Sequence, residues 1–153
     1  MSRTSSRALI ACAILLVLAA VNWSILAKER IRTGGEIVLL ELAPVDPRSL
    51  MQGDYMALRF ALANDIATDR SGKAPLAIDE RGVATLSRSP ETATLHIRYR
   101  IRNRQVWLGT NAYFFEEGTA ERFTSARYGE FRVDRDTGEA VLTGLRDADL
   151  RTL

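Results

Sequence analysis

Residues Ala8–Ala27, ALIACAILLVLAAVNWSILA, form a run of twenty residues without a charge, set between Arg7 and Lys28. A helix rises about 1.5 Å per residue, so this run reaches roughly 30 Å, the thickness of a bilayer's hydrocarbon core. It also satisfies its own backbone hydrogen bonds, which lipid cannot do for it. The segment therefore predicts a membrane-spanning helix followed by a domain on one side. A cleaved signal peptide usually has an apolar run of about 7–15 residues and a small-x-small exit. Here the best exit, after Ala27, has Ile25 at the third position back. Leu9-Ile10-Ala11-Cys12 matches a lipobox as a string, but only Ala8 to Ala11 lie between Arg7 and the cysteine. A helix buried in a soluble core seldom carries an uninterrupted apolar run of this length.

The charges flanking the run are similar. Arg3 and Arg7 precede it; Lys28, Arg30 and Arg32, with Glu29, follow. Long C-terminal domains translocate largely regardless of charge, and Trp23 suits an interfacial anchor. The expected layout is residues 1–7 in the cytoplasm, 8–27 in the inner (cytoplasmic) membrane, 28–35 as a juxtamembrane linker, and 36–153 as an extracytoplasmic, periplasm-facing β-rich domain. The net charge of +2 conceals a split. Residues 1–32 hold five basic residues and one acid, for +4, and the remainder holds 16 basic and 18 acidic residues, for −2. A slightly acidic domain argues against nucleic acid as a partner. The one cysteine, Cys12, lies in the apolar run, which excludes an internal disulfide and a cysteine-based metal site.

Past the apolar run the pattern turns to strands. Glu36–Leu42 is a β-type run closed by Pro44 and Pro47. In Asp54–Leu62, Met56, Leu58, Phe60 and Leu62 share one face. Asn64–Lys73 is polar and predicts a loop, and Leu76–Asp79 and Gly82–Ser87 are short strand candidates. In Thr92–Ile101, Leu95, Ile97, Tyr99 and Ile101 alternate with Thr94, His96, Arg98 and Arg100, the pattern of a sheet with one wet face. Arg102-Asn103-Arg104 predicts a turn into Gln105–Leu108, and Asn111–Phe115 is apolar and aromatic. Thr119–Arg127 is the one helix candidate beyond the apolar run. Glu130–Arg135 and Glu139–Leu145 flank Asp136-Thr137-Gly138, a three-residue hairpin connection with glycine last. The fold class expected is α+β: a transmembrane helix and a mainly antiparallel β domain with one short helix.

Asp46-Pro47-Arg48-Ser49-Leu50-Met51-Gln52-Gly53-Asp54-Tyr55-Met56-Ala57-Leu58-Arg59-Phe60 resembles the signature of the GDYXXXLXY family of bacterial membrane-anchored proteins, whose biochemical function is undefined. Gly53, Asp54, Tyr55 and Leu58 match its named residues, and Phe60 stands where the family has tyrosine. Tyr113-Phe114-Phe115-Glu116-Glu117-Gly118-Thr119 resembles the family's aromatic-acidic-glycine segment. The resemblance implies a lipid bilayer and a multi-pass membrane protein as partners, because members are often encoded beside such proteins. It implies no cofactor and no reaction. The expected function is a membrane-anchored, non-catalytic accessory subunit. The alternatives are a small-ligand sensor or a hydrolase with an unrecognised site.

Residue chemistry suggests roles within the signature. Gly53 suits a positive-φ turn, and Asp54 suits a cap on that turn's backbone N–H groups. Leu58 and Phe60 fit a structural role beside Gly53, whereas Arg48, Asp54 and Tyr55 are the candidate binding residues. Leu50-x-x-Gly53-Asp54 also resembles type I signal peptidases, but their serine position falls on Val45 and their following methionine on Asp46. Ser49 falls on a threonine position, and Lys73 sits in a polar loop, so the nucleophile–base pair is missing. His96, the only histidine, falls on a polar strand face. Asp134, Asp136 and Glu139 lack EF-hand spacing, which leaves no metal site expected. Arg98, Arg100, Arg102 and Arg104 form a period-two row that suits a solvated face or an anionic lipid or acidic partner.

Overall fold

The computed structural model describes residues 3–43, 51–52, 55–67, 69–89, 91 and 93–153. Helix α1 runs without a break over Arg3–Gly34. Its stretch from Leu9 to Gly34 is long and apolar enough to cross a membrane, and its side chains there are exposed as far as Leu26. The stretch 28–35, expected as a linker, is helical to Gly34. The Gly35 N–H closes the helix by donating to the Ile31 carbonyl at 2.8 Å, and β1 (Glu36–Glu41) begins at the next residue.

Past α1 the strands among the described residues pair antiparallel, as the alternating segments predict. β1 pairs with β9 (Tyr128–Val133), which pairs with β10 (Ala140–Arg146). β2 (Met51–Gln52), β3 (Tyr55–Ala57) and β8 (Ala112–Phe114) form a second sheet. β4 (Gly72–Ile78), β5 (Ala84–Leu86), β6 (Leu95–Arg102) and β7 (Gln105–Trp107) form a third, in the order β5-β4-β6-β7. Isolated bridges at Leu39–Val83 and Leu42–Phe60 stitch the sheets together. Inward residues of all three meet in one core that includes Val38, Leu40, Met56, Leu58, Phe60, Leu76, Ile97, Phe131 and Leu145.

The turns follow local chemistry. Asn103 and Arg104 both take left-handed φ, 50° and 60°, between the paired residues Arg102 and Gln105, which is the two-residue turn that suits strand twist. In the last hairpin Gly138 has φ of 73°. The Asp134 carboxylate accepts from the Thr137 N–H at 2.7 Å and from its hydroxyl at 2.6 Å. Those two bonds hold the Asp134 carboxyl below its ordinary value.

Three expectations need correction. Thr119–Arg127 is no helix beyond a 3-10 turn at Ala120–Phe123. Thr119 and Thr124 turn their hydroxyls onto the carbonyls of Glu116 and Glu121, at 2.6 and 2.7 Å, and such back-bonding competes with helix propagation. The turn instead buries Phe123 among aromatic rings. Of the strand expected over Asp54–Leu62, β3 covers Tyr55–Ala57, and Leu62 falls in a 3-10 turn at Ala61–Asn64. The inward face nonetheless holds, with Met56, Leu58, Phe60 and Leu62 all buried. β4 begins at Gly72, inside the expected loop, because Lys73 points outward there and gives no apolar signal.

The end of α1 is fastened to the last hairpin. Ile31 is buried, Arg132 donates to the Gly35 carbonyl at 3.0 Å, and Lys28 pairs with Glu139 at 2.6 Å. Arg98 approaches the same carboxylate at 3.5 Å. The Lys28 hydrogen bond, aided by the charges of Lys28, Arg98 and Arg100, lowers the Glu139 carboxyl against the opposing effect of burial. A lowered value means stability present above the unfolded carboxyl range, about pH 4.3, and lost as pH falls through the folded value. In detergent, the melting temperature of the full chain should therefore fall more steeply between about pH 5 and 3 than that of Glu139→Gln. Parallel thermal scans of the two proteins check this, and identical slopes would remove the clamp from the argument.

Candidate functional site

Two prolines close β1 in sequence, and the chain re-enters the described structure at β2, the first strand of the signature sheet. In the Met51–Met56 segment, Met51 pairs with Met56 and Gln52 with Tyr55 in antiparallel register. Its middle residues, Gly53 and Asp54, lie outside the described residues, as do Arg48 and the peptidase-aligned Val45, Asp46 and Ser49. Of the three candidate binding residues the structure therefore places Tyr55.

Tyr55 is half-buried and opposes Phe114 across β3 and β8. The two rings lie 5.7 Å apart at a tilted angle, a cross-strand aromatic pair. Phe114 is 74% exposed, the most open aromatic ring outside α1 among the described residues. The neighbours in β8 and beyond turn the other way. Tyr113 meets the Phe123 ring edge-on at 5.2 Å, and Phe115 stacks on the same ring at 5.2 Å. The aromatic segment thus alternates: Tyr113 and Phe115 bind the domain together, and Phe114 is offered outward.

The second half of the signature is core. Leu58 and Phe60 are each 2% exposed. The Leu58 N–H donates to the Asn111 carbonyl at 2.7 Å, which continues the ladder past β3. Phe60 packs edge-on against Phe131 at 5.2 Å. Space for that ring comes from Gly129, where a Cβ would stand 2.8 Å from Phe60 Cε1. In a tightly packed interior such an overlap forces a neighbour to move. The phenylalanine at the family's tyrosine position is here an apolar wedge.

The remaining candidates find ordinary partners. Lys73 is exposed and donates to the Asp136 carbonyl at 2.8 Å, so it is not the desolvated amine that a serine nucleophile needs. His96 is exposed on β6. Among the described residues no three His, Cys, Asp or Glu side chains gather to hold a metal. Asp134 serves its own turn and Glu139 serves Lys28, which divides the acidic hairpin between two structural tasks. The arginine row divides as well. Arg98, Arg100 and Arg102 line a cleft with Lys28, Trp107 and Glu139, whereas Arg104 lines a separate depression with Arg59. The convergence of Lys28 on this row was not evident from sequence, because sixty-nine residues separate it from Arg98; the period-two row itself was the available signal.

A family model described as GDYXXLXY protein matches residues 17–145, most of the chain. Its spacing is that of Gly53-Asp54-Tyr55-Met56-Ala57-Leu58-Arg59-Phe60, with two residues rather than three between Tyr55 and Leu58. No curated protein and no solved structure matches the chain.

The two halves of the site should separate by mutation. Phe60→Ala should cost about 3–5 kcal/mol as a large-to-small core change. Phe114→Ala should cost less than about 1 kcal/mol, the scale of one cross-strand pair. Denaturant unfolding of both variants checks the difference.

Proposed function

The chain belongs to the GDYXXLXY family, and on that premise we propose that it is a membrane-anchored, non-catalytic accessory subunit whose extracytoplasmic domain docks on a multi-pass membrane protein. The observation that carries this reading is Phe114, 74% exposed and backed by Tyr55 on the signature strand itself. A large ring held rigidly on a paired strand loses little entropy on binding and suits an interface anchor. The two rows of the signature then have one purpose: Leu58 and Phe60 fix the strand, and Tyr55 supports the ring next to it. Arg48 and Asp54 belong to the same segment and are assigned to the same contact.

The anchor is α1, with its N-terminus in the cytoplasm and the domain in the periplasm, in the inner membrane of a bacterium. Its side chains from Leu9 to Leu26 are exposed among the described residues, which leaves them to lipid and to the partner's helices. A reporter active only outside the cytoplasm, fused after Leu153, should be active. A reporter active only inside should be silent, and the reverse pattern would overturn the orientation.

The docking surface is tested in the membrane. A photo-crosslinking phenylalanine analogue at position 114 should form an adduct with a multi-pass membrane protein, identified by mass spectrometry. The same probe at the exposed Arg81 position should not. Phe114→Ala should lower recovery of that protein several-fold with a melting temperature shifted by no more than its small loss of stability. Absence of an adduct at 114, or equal adducts at both positions, would refute the surface.

A further inference from the structure

We propose that the cleft between the end of α1 and strands β6 and β7 binds the phosphate of an anionic phospholipid headgroup. The cleft has a volume of about 330 Å³ and is lined by Lys28, Arg98, Arg100, Arg102, Trp107 and Glu139, among others. Four cations thus face one carboxylate. That carboxylate is already engaged, by Lys28 at 2.6 Å and Arg98 at 3.5 Å. Arg100 and Arg102 have no ion pair among the described residues. They project from the same face of β6, with Arg100 opposite Trp107 in the β6–β7 ladder.

Arg102 is oriented by its neighbour. Its guanidinium carbon stands 5.4 Å from the centre of the Trp107 ring. Contact through the ring face leaves the planar edge of N–H donors available, and that edge fits two oxygens of a phosphate. The Trp107 indole N–H is buried and has no hydrogen-bond partner among the described residues.

Position selects the source of the phosphate. Lys28 is the first residue after the uncharged run, on a helix that continues unbroken. Twenty helical residues cover the roughly 30 Å hydrocarbon core, and the polar headgroups begin where it ends. With α1 in a bilayer, the Lys28 wall of the cleft therefore lies at headgroup depth. Basic residues at that depth are drawn to anionic lipid, and tryptophan is favoured there. A freely diffusing phosphate would have to reach the same cleft against a surface already rich in lipid phosphate. The inference needs the anchor but not the protein partner proposed above.

The test uses the full chain in mixed micelles of phosphatidylglycerol and phosphatidylcholine, with retained lipid counted by mass spectrometry after gel filtration. The wild type should retain phosphatidylglycerol several-fold over phosphatidylcholine. The double variant Arg100→Gln/Arg102→Gln should lose that preference, and Arg100→Lys/Arg102→Lys should keep part of it. Arg59→Gln/Arg104→Gln, which removes the same charge from the separate depression, should keep all of it. Four results would overturn the proposal: no preference in the wild type, equal loss in both double glutamine variants, displacement of the lipid by inorganic phosphate at matched ionic strength, or displacement by an acidic peptide at equal charge. Because Arg100 and Arg102 are exposed, the glutamine variants should melt as the wild type does. The lysine variant provides the comparison should they not. Failure here with a crosslink retained at position 114 would separate this cleft from the docking surface.

Discussion

The joint at Gly35 sets the placement of everything that follows it. A helix must end with its last carbonyls satisfied, and β1 must begin with free ladder groups. Here one residue serves both needs. Its N–H bonds the Ile31 carbonyl, its own carbonyl accepts from Arg132, and the next residue is already in β1. A side chain has no room there, since a Cβ would stand 2.5 Å from the Ile31 carbonyl oxygen and 3.1 Å from Arg132. The helix runs directly into the sheet, and the contacts of Lys28 and Gly35 with the last hairpin tie the two together. On the outer face of β9, Arg132 meets the helix end and Glu130 pairs with Arg146, while the inner face carries Gly129, Phe131 and Val133 into the core.

That geometry gives the family signature a physical meaning. β9 is the central strand of its sheet, and Phe131 is fully buried on it. Phe60 reaches Phe131 only because Gly129, two residues earlier on the same face, lacks a side chain. The aromatic residue of the signature, Phe60, is therefore held by a strand some seventy positions later, which fixes the rotation of its segment. A fixed rotation is what puts Tyr55 beside Phe114 and leaves the Phe114 ring in solvent.

Much of this was legible in the chain. Period-two alternation located the inward faces of β3 and β6, and the Asp136-Thr137-Gly138 connection located the last hairpin. The apolar run located α1, although it did not reveal that the helix continues to Gly34, because Lys28–Thr33 is polar and good helix-forming chemistry is hard to distinguish from a linker there. Pattern reading failed where tertiary contact overrides local preference. Thr119–Arg127 has helical spacing, yet two threonine hydroxyls and the demand to bury Phe123 reduce it to a single turn. Of the binding candidates, Tyr55 is the one among the described residues, and its place in the signature was the sequence signal. The pairing that makes its neighbourhood a surface, with Phe114 across β8, depends on strand register that one sequence does not disclose.

The distribution of charge is the last step. The segment up to Arg32 carries +4 and the remainder −2, so the simplest internal solution would spread acids against the helix end. The fold does otherwise. It commits Asp134 to a turn, pairs Glu130 with Arg146, and leaves Glu139 as the lone carboxylate among Lys28, Arg98, Arg100 and Arg102. Like charges near one another at a surface repel weakly, by about 1 kcal/mol for a pair at ~4 Å in water and less in salt. The arrangement is tolerable in the isolated chain, but among the described residues Arg100 and Arg102 form no ion pair. Its sense lies outside the chain, in a counter-charge supplied where α1 leaves its apolar run. The same joint that fixes the sheet to the helix also fixes that positive cleft at the helix end, so anchoring and charge placement are one structural decision.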